Sequence, residues 1–289
     1  MPWKGTSMHK WSIRISLIVV ALATALAGAD QARAAGAVPI SACQTLSTAN
    51  TTYELTTDLT SCGSCLIVAA NRITIDLQGH SITNTGCLGS NAAITDQLVP
   101  FDVITVKNGT VSNWFAGVYL FASTRVSVLG VTAHDNANFG IVTGAQGLVK
   151  ASTTYNNGAM GIWVVGDRGQ VQQCNSHDNG VWGIFGQGAN CLITMNTANS
   201  NHNTGIETGG GNKCTVSLNT TSNNAFYGIV AGTSNGGSGH LVTQNVALGN
   251  GSLDYLINCP STVTYNDSTN GFPASYGFSG AGCHTVNNN

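Results

Sequence analysis

The middle of the chain repeats a short phrase in which a glycine is followed at once by an aliphatic residue. The repeat glycines lie 21 to 23 residues apart, at Gly117, Gly140, Gly161, Gly183, Gly205 and Gly228. The aliphatic residues that follow them are Val118, Ile141, Ile162, Ile184, Ile206 and Ile229. A second apolar series recurs on the same period, at Val128, Val149, Val171, Ile193, Val216 and Val242. Two periodic apolar series indicate two inward-facing ladders of stacked strands.

A period near 22 residues is too short for repeats built of helix pairs, and the leucine pattern of leucine-rich repeats is absent. The sequence therefore predicts an all-β fold, a single-stranded right-handed parallel β-helix (solenoid) of ~22-residue coils. The handedness follows the strong preference for right-handed parallel crossovers. We expect one domain over 35–289, with an N-terminal cap at about 35–65, repeats at about 66–258 and a C-terminal cap at 259–289.

Asparagines recur on the same period. One precedes each repeat glycine by four residues, from Asn113 to Asn224, and Asn250 continues the series. A second series contains Asn196, Asn219 and Asn245. Asparagine tolerates the left-handed backbone conformation and bonds to neighbouring main chain. Both series therefore predict structural columns at bends of the coil.

Residues 1–34 have the pattern of a secretory signal peptide. Lys4, Lys10 and Arg14 precede an apolar stretch from Ile15 to Ala27, and an Ala-x-Ala cleavage motif ends at Ala34. The apolar stretch is too short to span a bilayer, and no later stretch reaches the necessary length. We therefore expect a secreted or periplasmic protein with no membrane span.

Charged residues are few and dispersed. The sequence has 10 Lys and Arg, 12 Asp and Glu, and a formal net charge of −2. No basic stripe is present, so a nucleic-acid partner is not expected.

Nine cysteines in an exported chain indicate disulfides. Cys191 and Cys214 occupy equivalent places on neighbouring coils, and a strand spacing of ~4.8 Å suits a disulfide between them. Cys259 and Cys283 form a second predicted pair behind the repeats. The N-terminal cysteines pair among themselves with open connectivity, and they are Cys43, Cys62, Cys65 and Cys87. Cys174 takes an asparagine place in its coil, which predicts a buried free thiol; no metal site is predicted.

The Asn-x-x-x-Gly-Ile phrase follows the segments Ile73–Ile82 and Val106–Val111. Together they resemble exported right-handed parallel β-helix repeat proteins of the pectin-lyase-like superfamily. The resemblance implies the fold, and it implies a polysaccharide or cell-surface glycan as partner, because members include polysaccharide lyases, glycoside hydrolases, epimerases and adhesins. The acidic clusters, paired arginines and catalytic aspartate phrases of the familiar enzymes in this group are absent.

Two His-Asp pairs recur at one place in the coil, two coils apart. They are His134-Asp135 and His177-Asp178. Histidine titrates near neutrality and a carboxylate can hold its tautomer, so these four residues are the candidate catalytic groups. Two coils separate equivalent positions by about 9.6 Å, near the carboxylate separation of inverting glycosidases. The alternative interpretation is that they are polar turn residues.

The position two residues after the repeat glycine holds Tyr119, Trp163 and Phe185, and then Glu207. Aromatic faces pack on the CH faces of sugars, so these four residues are the candidate substrate-binding set. We therefore expect a non-catalytic glycan-binding or surface protein. The alternatives are a carbohydrate-active enzyme, hydrolase or lyase, that uses the His/Asp pairs, and a metal-handling protein. No cofactor is predicted; calcium would suit the enzymatic alternative.

Overall fold

The computed structural model describes residues 36–87, 89–232, 236–271 and 274–289. The predicted signal peptide lies outside the described residues. Residues Val38–Asn289 form one compact unit, and its described residues form strands, bridges and turns without a helix.

The strands are short, mostly three to six residues each. In chain order they are β1 (Val38–Ile40), β2 (Gln44–Leu46), β3 (Thr52–Leu55), β4 (Leu59–Ser61), β5 (Leu66–Val68), β6 (Thr74–Asp76), β7 (Ser81–Asn84), β8 (Ala92–Thr95), β9 (Thr105–Ser112), β10 (Ala116–Leu120), β11 (Ser127–His134), β12 (Phe139–Thr143), β13 (Leu148–Lys150), β14 (Thr153–Tyr155), β15 (Met160–Val165), β16 (Gln170–Gln172), β17 (Asn175–His177), β18 (Trp182–Gln187), β19 (Leu192–Thr194), β20 (Thr197–Asn199), β21 (Thr204–Gly209), β22 (Thr215–Ser217), β23 (Thr220–Ser222), β24 (Tyr227–Ala231), β25 (Leu241–Thr243), β26 (Val246–Leu248), β27 (Leu253–Asn258), β28 (Thr262–Thr264), β29 (Asp267–Ser268), β30 (Tyr276–Ser279) and β31 (His284–Val286).

These strands form three walls of a parallel β-helix. Wall A is an 11-stranded sheet made of β2, β5, β8, β10, β12, β15, β18, β21, β24, β27 and β30. The other 20 strands form one sheet, which we divide into walls B and C. Wall B contains β1, β3, β6, β13, β16, β19, β22, β25, β28 and β31, and wall C contains β4, β7, β14, β17, β20, β23, β26 and β29. The long strands β9 and β11 cross from wall B to wall C, because each pairs with strands of both.

The two predicted apolar ladders form the core. Val118, Ile141 and Ile162 pair in register on wall A, and the series continues through Ile184, Ile206 and Ile229. On wall B, Val128 pairs with Val149 and the series runs on to Val242. All of these side chains are buried. The predicted all-β right-handed parallel β-helix is therefore confirmed.

Parallel pairing also extends into both segments that the sequence analysis assigned to caps. β1 pairs with β3, and β2 pairs with β5, at the N-terminal end. At the other end β28 pairs with β31, and β27 pairs with β30. There Tyr255 and Tyr276 continue the inward aliphatic ladder of wall A as stacked rings, 4.6 Å apart. Large aromatic rings thus close the apolar core at this end.

Buried asparagines stack at the bend between walls C and A. In each rung the amide Nδ2 donates to Oδ1 of the next asparagine, from Asn136 through Asn157, Asn179, Asn201, Asn224 and Asn250. The ladder ends on the buried carboxylate of Asp254, which accepts from Asn250 Nδ2 at 2.8 Å. A second ladder at the bend between walls B and C contains Asn196, Asn219, Asn245, Asn266 and Asn288.

Asn113 does not belong to the first ladder, which corrects the register expected from the sequence. Its neighbour Trp114 takes the rung, because Ser112 pairs with His134 whereas Ala116 pairs with Phe139. The bend in this coil is therefore one residue shorter than in the next. Trp114 is 1% exposed, and its indole Nε1 donates to the Ile82 carbonyl at 3.1 Å.

The structure contains four disulfides and one free cysteine. Cys191–Cys214 and Cys259–Cys283 join the residues predicted, with Cα separations of 4.5 and 5.0 Å. The N-terminal bridges, whose connectivity was open, are Cys43–Cys65 and Cys62–Cys87. Each bridge joins neighbouring coils, because its cysteines are 22 to 25 residues apart.

Candidate functional site

Seven aromatic side chains form a continuous cluster on wall A and its flanking bends. We call this cluster the aromatic strip; it contains Phe115, Tyr119, Phe121, Phe139, Trp163, Trp182 and Phe185. Neighbouring ring centroids lie 5.0 to 6.4 Å apart, from Phe115–Phe139 at 5.9 Å to Trp182–Phe185 at 5.0 Å. These separations are typical of favourable aromatic pairs.

The strip faces outward because side chains alternate along each strand of wall A. Ile162 points into the core, so Trp163 points away from it and is only partly buried. Tyr119, Val142, Trp163, Phe185 and Glu207 occupy one outward column, in consecutive coils. Val142 is fully buried although it faces outward, and its register partners in the neighbouring strands are Tyr119 and Trp163. The predicted binding residues thus lie together on one face.

A recess opens at each end of the strip. The first recess, of about 470 Å³, is lined by Tyr119 and Phe115 together with Ser64, Ser90, Asn91, Ala92, Thr95, Gln97, Leu98 and Ala116. The second recess, of about 380 Å³, is lined by Trp182, Asn203, Thr204, Glu207, Tyr227, Val230, Gly232, Leu256, Asn258 and Ser279. Both volumes lie in the range of small-molecule sites. Aromatic faces beside amide and hydroxyl groups can hold sugars by packing and by hydrogen bonds.

Among the described residues that line the two recesses, Glu207 alone carries a side-chain carboxyl group. Burial raises the pKa of this carboxyl to about 7, and a hydrogen bond from Trp182 opposes the rise. The charged form is disfavoured because the group has lost most of its water. Glu207 can therefore exchange a proton near neutral pH.

The candidate catalytic residues lie on wall C and the bend after it, and they line neither recess. The ring of Tyr155 is stacked between those of His134 and His177, with centroid separations of 4.8 and 5.3 Å. Each histidine Nδ1 lies 2.6 Å from the carboxylate of the aspartate that follows it. The two pairs are thus held apart by one ring, and each pair is internally hydrogen-bonded.

Asp135 and Asp178 also have a backbone role. Their φ angles are 52° and 54°, in the left-handed region, and the same place in other coils holds Asn156, Ser200 and Asn223 with similar values. Short polar residues are the non-glycine residues best suited to this conformation. The position of both aspartates is therefore explained by the bend alone.

Three parts of this surface were not predicted from the sequence. Phe115 occupies a variable place of the repeating phrase and Phe121 follows the strand after it, so the period does not point to them. Thr204 forms the floor of the second recess between Trp182 and Tyr227, with which it pairs in register. A small residue between two large register partners, Trp182 and Tyr227, is the signal that could have indicated the recess.

Within the described ranges, no group of three or more His, Cys, Asp or Glu side chains is arranged to hold a metal ion. The same residues contain no helix with the length and apolar character of a membrane span.

No protein-family model and no curated protein matches the sequence. Solved structures do match. The A-module of mannuronan C-5 epimerase AlgE6 from Azotobacter vinelandii superposes with a TM-score of 0.58 at 15% identity, covering 86% of this chain and 80% of that one. An alginate lyase from Paenibacillus sp. str. FPU-7 gives a TM-score of 0.58 at 13% identity, covering 88% and 100%.

A tailspike protein of the E. coli bacteriophage HK620, solved with a pentasaccharide, gives a TM-score of 0.56 at 11% identity, covering 87% of this chain and 58% of that one. At these identities the similarity establishes the fold alone, a right-handed parallel β-helix. Function has to be argued from the residues of this chain.

Proposed function

We propose that this protein is an exported β-helix that binds a polysaccharide or cell-surface glycan along wall A, through the aromatic strip and its two recesses. The observation that carries this proposal is the strip itself. Seven rings cover an outward face whose neighbouring positions are hydroxyl and amide groups, and soluble proteins rarely expose continuous apolar patches without a use. The four disulfides support an oxidising compartment, secreted or periplasmic.

The similar folds support a glycan as the partner, since their names describe proteins that act on or were solved with polysaccharides. The sparse charge of the chain favours packing and neutral hydrogen bonds over ionic attraction. Binding would use the ring faces of Tyr119, Trp163 and Phe185, with Glu207 at the second recess.

The test is a glycan-array screen followed by calorimetry with Trp163→Ala. Trp163 touches Phe121, Phe139 and Phe185, so its removal should weaken binding at least roughly tenfold, in line with the losses seen for central aromatic residues. Tyr265→Ala is the matched control, because Tyr265 is an exposed ring on the bend between walls B and C. Equal affinities of Trp163→Ala and parent for every bound glycan would refute the proposal.

A second candidate function is a carbohydrate-active enzyme that uses His134, Asp135, His177 and Asp178. The short His–Asp hydrogen bonds favour it, because a carboxylate that orients an imidazole is the usual support for a general base. Asp178→Asn should then abolish product formation from polysaccharide and leave binding intact. Assays with and without calcium would test a metal requirement. A binder alone would tolerate Asp178→Asn.

A further inference from the structure

The second recess contains a slot one coil wide. Trp182 and Tyr227 are the register partners of Thr204 in the two neighbouring strands of wall A, and Thr204 is small and buried. Two coil steps place the backbones of the two aromatic residues about 9.6 Å apart. Glu207, three residues further along the strand of Thr204, lines the same recess, so a carboxyl group lies beside two aromatic side chains.

No cationic side chain lines this recess among the described residues. Glu207 also takes part in none of the ion pairs found in the described chain, whereas Asp76 and Asp102 pair with Lys107 and Arg125. A largely buried carboxylate without a cation is unfavourable, and a bound cation would supply the missing charge. Aromatic faces attract the same kind of ligand.

We infer that this slot is a charge-selective subsite for an amino sugar whose primary amine is free and protonated. This inference rests on the proposed glycan-binding function. The ammonium group would lie against the Glu207 carboxylate between the Trp182 and Tyr227 side chains. Sugar hydroxyls would face Asn203, Asn258 and Ser279 at the edge of the recess.

The same arrangement disfavours acidic sugars. A uronate would bring a second carboxylate next to Glu207, and none of the described lining residues of either recess is a Lys, Arg or His that could compensate it. Like charges in a partly buried site repel strongly. An N-acetylated sugar is neutral and would gain the packing of the strip without the ion pair.

Burial raises the pKa of the Glu207 carboxyl to about 7, because no neighbouring cation among the described residues offsets the loss of water around the charged form. A bound ammonium would favour the ionised carboxyl, so the complex should hold fewer protons than the free protein. Glu207 pairs in register with Phe185 and Val230 in the neighbouring strands. Trp182 and Tyr227 line the recess together with Glu207.

The experiment is calorimetry of the parent, Glu207→Gln and Trp163→Ala with two pairs of probes. One pair is a β-1,4-linked glucosamine hexamer and its fully N-acetylated counterpart, and the other is an α-1,4-linked galactosamine oligomer and its N-acetylated form. The parent should bind at least one free-amine probe roughly tenfold more tightly than its N-acetylated partner, as a charge-assisted hydrogen bond provides. Glu207→Gln should remove this preference and change binding of the N-acetylated probe less than about twofold.

The outcomes separate the inference from the proposed function. Equal binding of both members of each pair by the parent, or a preference that survives in Glu207→Gln, would overturn the amine subsite while the aromatic strip stands. Another outcome is that the parent binds none of the four probes but binds other glycans on an array, and loses that binding in Trp163→Ala. This result too would overturn the amine subsite while the aromatic strip stands. No binding of any glycan would overturn both.

Discussion

Glu207 makes the stability of the folded protein depend on pH. Its pKa is raised to about 7 in the folded protein by burial, from an ordinary value near 4.5. The folded state therefore holds the proton to higher pH than the unfolded state, and stability falls as pH rises from about 4.5 to about 7. Below about pH 4.5 the Glu207 carboxyl has no effect on stability, and above about pH 7 stability falls no further through this group.

Replacing this carboxyl by an amide should remove the penalty. The effect of Glu207→Gln on the free energy of unfolding should be more stabilising at pH 8 than at pH 4 by about 3 kcal/mol, because the pKa rises from 4.5 to about 7 and one pKa unit corresponds to ~1.4 kcal/mol. Urea denaturation of variant and parent at the two pH values measures this difference. An equal effect at both would show that Glu207 ionises as freely in the folded protein as in the unfolded one.

Cys174 is the free thiol, and burial raises its pKa to about 11. It fills a rung of the second ladder, where its backbone N–H donates to Asn196 Oδ1 at 2.9 Å and its Sγ lies 3.5 Å from the Val149 carbonyl oxygen. The thiolate is the reactive form, so the native protein should not react with iodoacetamide at pH 8.

Labelling followed by mass spectrometry tests this expectation. One alkyl group should appear only after denaturation, and a Cys174→Ser variant should remain unlabelled in both states. Rapid labelling of the native protein would place Cys174 at the surface.

The asparagine ladder is the element that fixes the bend between walls C and A. Asn179 Oδ1 accepts from the backbone N–H of Asn157 at 3.2 Å and from its Nδ2 at 2.9 Å, and Asn179 Nδ2 donates to Asn201. Asn179→Ala leaves these buried groups without partners, which should destabilise the protein by about 1–3 kcal/mol.

Thermal or urea denaturation of Asn179→Ala measures the loss. Asn175→Ala is the matched control, because Asn175 lies four residues away on the outer face of wall C with its side chain exposed. Its change should be within about 0.5 kcal/mol of zero. Equal stability of both variants and the parent would mean that the ladder is not structural.

Strands and bends could be predicted where the sequence pattern that marks them repeats from coil to coil. Glycine followed by valine or isoleucine marks a core ladder in every middle coil, so fold class and wall A followed from the sequence. Trp114 was missed because its bend is one residue shorter, which counting back from Gly117 cannot reveal. The repeats were expected to end at about 258, and pairing of β30 with β27 beyond them was not expected because Tyr276 stands where the middle coils have an aliphatic residue.

The site was predictable only in part. Strand alternation placed Tyr119, Trp163, Phe185 and Glu207 in one outward column, and the structure has them so. The recesses depend on which neighbouring side chains are small, and the stacking of Tyr155 between two histidines depends on rotamers. Neither is fixed by a period in the sequence.

On the scale of the whole molecule, the two recesses lie at opposite ends of one outward column of wall A. The outward column runs from Thr95 at the first recess to Leu256 at the second, through seven paired steps. At ~4.8 Å per step the column is about 34 Å long. One glycan chain could therefore contact both recesses and the rings between them.

This length sets a final prediction for a glycan that the parent binds. Affinity should rise with oligosaccharide length until the chain spans about 34 Å and then level off, because contacts within one chain add at high effective concentration. Calorimetry with a graded oligomer series locates the plateau. Removing the middle of the strip with Trp163→Ala should weaken long oligomers more than short ones that fill a single recess. An affinity independent of length would confine binding to one recess and exclude a continuous surface along wall A.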